Sequence, residues 1–374
     1  MKLVLHSDDS NFELAAIYKQ AFTEATRLYV VSAYLTDWDK SLVLNADCEK
    51  FRVIVGKDFG ITRKSACIDL MKWLSAERKS QFLVADSIEG FHPKAVFWID
   101  KNKKAFSIIG SSNLTKAAFG TNYEANIYSE ISNYEFIKAE KWMKEIEDRS
   151  VVVSEDWLAK YKEATPSPKK TINSKSSSVF SLILPTPVGS AGRIKERRVR
   201  LAKHQSVETK LHALFLQCSK GKISSSEFYE RLPSFWSWKV GNRLQGSGWE
   251  RKGKNSNLRE LSSSFINILN SNHEDRDDIV VREFDRLEAS KNPARRAFLS
   301  EMLCLTFPEE FPILNRPVNC YLKAIKFRPP KGASKGAKYI DLAKKLRASL
   351  AQNPKHLAKN IAELDTVIWL EYKD

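Results

Sequence analysis

Phe91-His92-Pro93-Lys94-Ala95-Val96-Phe97-Trp98-Ile99-Asp100 is followed by Gly110-Ser111-Ser112-Asn113-Leu114-Thr115, and then by Asn122-Tyr123-Glu124-Ala125-Asn126. The bulky run Lys94 to Ile99 and the apolar run Ala105 to Ile109 read as two strands, joined by a turn at Asp100-Lys101-Asn102-Lys103. Gln81 to Ala85 reads as a short buried strand before them. His92 and Lys94 are two apart, so in a strand both face one side, and Pro93 marks a strand start or an edge. Gly110 to Asn113 then makes a small-residue turn that can gather backbone N–H groups and an amide side chain.

Each of these residue types has a use at a phosphodiester. A neutral imidazole can attack phosphorus and split one hard displacement into two. A second imidazole can protonate the leaving oxygen. Lysine and an asparagine amide can hold non-bridging oxygens as charge develops. A carboxylate such as Glu124 can fix the tautomer of a histidine. Cys, His and Asp do not cluster at metal-ligand spacing, so neither a catalytic metal nor a cofactor is expected.

Working outward, strands and helices alternate. Residues 1 to 60 read as one βαβ unit. Its helix is Phe12 to Arg27, with Asn11 as N-cap, and Leu28 to Ala33 and Phe51 to Val55 are strands. Thr62 to Ser80 and Tyr134 to Asp148 read as helices, with the strand Glu124 to Tyr128 between them. The pattern predicts an α/β sandwich with a mixed sheet over residues 1–164.

His-x-Lys, then Gly-Ser-x-Asn, then a downstream Glu resembles the phospholipase D superfamily, most closely its restriction-endonuclease branch of metal-independent nucleases. The resemblance covers residues 1 to about 165. It implies His92 as nucleophile and acid, Lys94, Ser111 and Asn113 as phosphate binders with Ser112 beside them, and Glu124 as the group that orients the histidine. The lipase-type pattern has an Asp five residues after the Lys. Here that position is Ile99 and Asp100 comes one later, so the phospholipid-hydrolase form departs from the sequence where the nuclease form does not. Of six His, only His92 has a Lys two residues on. A mechanism with two imidazoles therefore implies a homodimer with one shared site.

Thr165 to Ser178, rich in Ser, Pro and Lys, has no apolar period, and residues 165–192 read as a linker. Val179 to Leu184 is a short strand or docking segment within it. Residues 193–374 read as a mainly α-helical domain. The net charge of +16 lies there: residues 1–165 hold 23 basic and 24 acidic side chains, leaving 38 basic and 21 acidic in the remainder. A neutral catalytic half joined to a strongly basic half fits a polyanion-binding module. Arg197, Arg198 and Arg200 lie in a run of six basic residues from Arg193 to Lys203. Trp238, Lys239, Arg243 and Lys252 belong to a stretch where aromatic and basic residues interleave, with Trp236 and Trp249 also fitting a core.

Five scattered Cys, an N-terminal apolar stretch too short for a signal peptide, and mean hydropathy of −0.39 point to a cytoplasmic chain without a membrane anchor. The expected activity is metal-independent cleavage of DNA, double-stranded first, in restriction or phage defence. A methyltransferase or helicase partner is left open. The alternatives are a phospholipid phosphodiesterase or transferase, and an inactive nucleic-acid-binding protein.

Overall fold

The computed structural model describes residues 1–6, 12–164, 180–244, 253–294 and 296–373. They form two compact units. The first comprises Met1–Phe180 with Arg328–Ala333, and the second Ser181–Phe327 with Ser334–Asp374.

The first unit is built on one mixed sheet. Its strands are β1 (Lys2–His6), β2 (Ala25–Ser32), β3 (Lys50–Val55), β4 (Phe82–Val84), β5 (Lys94–Asp100), β6 (Ala105–Gly110), β7 (Glu124–Ile131) and β8 (Val151–Val152). They lie in the order β1-β7-β6-β5-β2-β3-β4-β8. The pairs β2–β3 and β3–β4 are parallel and the others antiparallel. The expected βαβ unit over residues 1–60 does not form. β1 leaves β2 and pairs with β7 at the far edge, and residues 33–49 link β2 to β3 without a helix. The helix expected to reach Arg27 ends at Glu24, because Ala25 to Arg27 is already paired with β5.

Helices cover both faces. α1 (Phe12–Glu24) places Phe22 edge-on to Phe51 and Trp73, the latter from α2 (Lys64–Trp73). On the other face Phe136, Met143 and Ile146 of α3 (Asn133–Asp148) pack with Tyr29, Val31, Ile54 and Phe97. Burying a side chain of this size stabilises by about 1.5–3 kcal/mol, so the two-sided burial accounts for the apolar runs in β2 to β4. A capping box starts α3: the Ser132 hydroxyl accepts from the Glu135 N–H, and the Glu135 carboxylate accepts from the Ser132 N–H. The β5–β6 turn forms where the sequence places it. Asp100 Oδ1 accepts from the N–H groups of Asn102 (2.8 Å) and Lys104 (2.9 Å), and Lys103 adopts φ 62°. A short helix, α4 (Glu155–Lys160), closes the unit.

The second unit is helical. A 30-residue helix, α5 (Ser190–Ser219), runs through the basic segment. The other main helices are Ser225–Arg231, Leu258–Leu269, Arg276–Ala289, Ala297–Thr306, Arg316–Ala324, Lys335–Ala351 and Ile361–Tyr372. Residues 180–184 form no strand; Phe180 is buried and its N–H donates to Asp86. Asn11, residues 165–179 and residues 245–252 lie outside the described residues. Among the described residues no helix is long and apolar enough to cross a membrane.

Candidate active site

The sheet gathers the motif at one end. The C-termini of β1, β2 and β6 and the N-termini of β5 and β7 meet there, because these neighbours alternate in direction. Ser32 lies opposite Lys94, Gly110 opposite Asn126, and Glu124 opposite His6. The result is one rim built from five strands.

His92 is not within a strand, as its spacing to Lys94 suggested. β5 begins at Lys94, and His92 sits in the turn before it. The two still meet, because the lysine folds back: Lys94 Nζ is 2.9 Å from His92 Nδ1 and donates to the His92 carbonyl at 2.9 Å. The turn is held from a distance. Asp58 Oδ2 accepts from the N–H groups of Gly90 (3.0 Å) and Phe91 (3.2 Å), and Gly90 takes φ 68°, which suits glycine. Nothing near Asp58 in the sequence announces this role.

Tyr34 connects the halves of the rim. Its ring meets His92 edge-on at 5.8 Å, and its N–H donates to Asn113 Oδ1 at 3.2 Å. Burial, with the Asp58 charge adding to it, raises the Tyr34 phenol above its ordinary value, which favours the neutral form. Ser32 ties β2 to the same loop, accepting from the Leu114 N–H at 2.9 Å and donating to the Tyr34 carbonyl at 2.7 Å. With its Oδ1 occupied, Asn113 keeps an amide donor that has no partner among the described residues.

Glu124, expected beside His92, accepts from the Ser111 hydroxyl and from Asn122 Nδ2 at 3.1 Å. It acts on Lys94 through its charge. Burial lowers the Lys94 amine below the usual lysine value, and Glu124 pulls it back up. The Ser111 hydroxyl also accepts from the Ala125 N–H at 3.0 Å. Ser112 turns inward: it is buried, and its hydroxyl accepts from Asn126 Nδ2 at 2.8 Å. His6, which the sequence reading passed over, is 3% exposed, and neither ring nitrogen has a partner among the described residues. The alternation of Val4 and His6 in a short strand was its only sequence signal.

Residues 11–155 match the family model described as the NgoFVII restriction endonuclease N-terminal PLD domain. These residues are a phospholipase D-family domain. NucT from Helicobacter pylori is similar at 14% identity and a TM-score of 0.30, with 41% of this chain and 99% of that chain covered. Nuc from Salmonella typhimurium, a phospholipase D family member, is similar at 14% identity and a TM-score of 0.28, with 40% and 97% covered. No curated protein matches the chain.

The expected contacts outside the phospholipase D-family domain fall in the second unit, and the fold treats them differently. Arg197 is buried against Asp365 at 3.0 Å, so it faces the core and not a ligand. Arg198 is exposed but forks onto Glu363 at 2.6 and 3.2 Å. Arg200 donates to the Arg243 carbonyl and lies 5.1 Å from the centre of the Trp238 ring. Arg243 is buried between the Trp236 and Trp238 rings, while Trp238 and Lys239 are exposed. Lys252 lies outside the described residues.

Proposed function

We propose that the chain is a metal-independent endonuclease acting on DNA, with His92 as nucleophile. The contact of Lys94 with His92, inside a domain of the restriction-endonuclease family, is the observation that carries this reading. A ring nitrogen of His92 attacks phosphorus, and the P–O bond to the leaving strand breaks. The departing oxygen takes a proton from a second imidazole. Water then attacks the phosphohistidine, the P–N bond breaks, and the second imidazole recovers a proton from that water. Lys94 and the free amide donor of Asn113 hold the non-bridging oxygens, and Ser111 positions Glu124, whose charge opposes the lowering of the Lys94 amine by burial.

The second imidazole is His92 of a second copy. Among the described residues His6 is the only other histidine on this rim, and its burial beside Glu124 on the paired strand keeps it from a phosphate. The site is thus shared by a homodimer. The basic helical unit supplies the grip on the polyanion, and the chain serves in restriction.

Cleavage of plasmid and linear duplex DNA in excess EDTA, wild type against His92→Ala, tests this. The wild type is expected to cut and to yield an acid-labile covalent protein–DNA adduct on quenching, and the variant to do neither. Cutting by His92→Ala in EDTA at the wild-type rate would overturn the assignment.

A further inference from the structure

Trp238 stands out among the aromatic residues of the second unit because it is 51% exposed, although the turn that carries it is firmly fixed. The clamp is Asn242, which is fully buried. Its Oδ1 accepts from the Ser237 N–H at 3.2 Å and its Nδ2 donates to the Phe235 carbonyl at 2.8 Å. The Gly241 N–H donates to the Ser237 carbonyl at 2.9 Å. Gly241 takes φ +82°, and a Cβ there would come within 2.7 Å of Lys203 Nζ, so the turn is closed against α5. Leu244 finishes the segment by donating to Glu301 at 2.6 Å.

Cations surround the exposed ring. Arg243 Cζ lies 4.2 Å from the Trp236 ring centre and 5.7 Å from that of Trp238, and Arg200 Cζ lies 5.1 Å from Trp238. Arg243 is buried and Arg200 half-buried, so these guanidinium groups hold the indole more than they face solvent. Lys203 and Lys239 are exposed and form no ion pair among the described residues. An apolar core has no use for a half-open indole on a rigid turn, and a backbone-only polyanion contact has no use for the ring. A flat π-face with two free ammonium groups nearby matches a nucleotide whose base has left the helical stack: the ring stacks on the base, and the lysines meet the flanking phosphates.

We infer that Trp238, held by Arg200 and Arg243 and flanked by Lys203 and Lys239, is a stacking platform for an unpaired base in a nucleic acid. This deepens the proposed function, on which it rests for its substrate class. The platform would favour DNA that is bulged, mismatched or locally opened over perfect duplex.

The test is fluorescence anisotropy with the full chain carrying His92→Ala, which leaves the probe intact. The probes are a labelled duplex and the same duplex with one unpaired nucleotide. Tighter binding of the bulged probe is expected. Adding Trp238→Ala should weaken that binding roughly ten-fold and the plain duplex by less than about two-fold, with Trp238→Phe retaining most of the difference. Replacing Lys203 and Lys239 with Ala should weaken both probes and flatten the dependence on log salt by about two units. Equal losses on the two probes with Trp238→Ala, or none on either, at unchanged melting temperature, would overturn the platform. The same holds if neither probe binds. His92-dependent cutting without a preference for the bulge removes the platform and leaves the nuclease. A bulge preference that depends on Trp238 in a chain that never cuts removes the nuclease and leaves the platform.

Discussion

His6 and Glu124 face each other across the β1–β7 ladder, one with both ring nitrogens unpartnered among the described residues and the other with its carboxylate taken by Ser111 and Asn122. A buried polar group left unsatisfied costs about 1–3 kcal/mol. An apolar side chain of similar bulk escapes that cost. His6→Leu is therefore expected to melt at or above the wild-type temperature by circular dichroism. A fall of several degrees would mean that the imidazole has a stabilising partner in solution.

Glu124 also sets a pH limit. Burial lowers the Lys94 amine, and Glu124 opposes the shift. Below its pKa the amine is charged and can hold a phosphate; above it the charge is lost. Neutralising the carboxylate removes the charge that opposes burial, so the Lys94 pKa falls further. In Glu124→Gln the alkaline limb of kcat/KM should move to lower pH than in wild type. An unmoved limb, in a variant that retains measurable activity, would separate Glu124 from Lys94.

The sequence made the first unit legible because its motif residues are local. His92 and Lys94 are two apart, Ser111 and Asn113 share a turn, and the β5–β6 hairpin carries its own Asp-Lys-Asn-Lys signal. What it hid was long-range. Asp58 reaches the His92 turn from 32 and 33 residues away, and Ser32 reaches Leu114 from 82. β1 joins β7 across most of the domain. In the second unit the helices were readable from apolar spacing, but the use of their arginines was not. Arg197 lies on the buried stripe of α5 with Ile194, His204 and Leu211, and Asp365, 168 residues away, explains its place there.

Gly110 ends β6 under the site. A Cβ there would come within 2.3 Å of the Ala125 carbonyl oxygen and 2.6 Å of Asn126 Cα, both backbone atoms of the paired strand. Neither can yield without opening the β6–β7 ladder that sets Glu124. Gly110→Ala should cost about 1–3 kcal/mol, the usual range for overpacking, seen as a lowered urea midpoint. An unchanged midpoint would show that the ladder relaxes more easily than its register implies.

The Arg197–Asp365 pair gives a prediction about stability that a DNA-contact role would not. Burial raises the Asp365 carboxyl above its ordinary value, and Arg197 draws it back down. Arg197→Met strands a buried carboxylate, at a cost of about 3–5 kcal/mol. Without the arginine the folded-state pKa rises further above the unfolded one. The folded state then binds its proton more tightly, and stability falls as pH rises through that window. Thermal melts should show a large loss at neutral pH and a smaller one in mild acid, with Arg197→Met/Asp365→Leu recovering much of it. A loss independent of pH would point to packing instead.

The last prediction concerns the outer face of the sheet beside the site. Leu3, Ile127 and Ile109 lie in register on β1, β7 and β6, with Leu5 next along β1, and all four are exposed. Alternation puts them on the face opposite Glu124 and His6, directly behind the rim. An apolar row of this kind suits contact with a second copy, which the proposed chemistry requires to bring the second imidazole. Ile127→Glu places a charge in the middle of the row while leaving the inner face untouched. The variant is expected to sediment as a monomer, to keep the wild-type circular-dichroism spectrum while melting lower by the stability that the dimer contact supplied, and to lose cutting by about 10² or more, the usual worth of a general acid. A monomer that cuts at the wild-type rate would sink the shared site. A variant that remains dimeric would place the two-fold interface on another face.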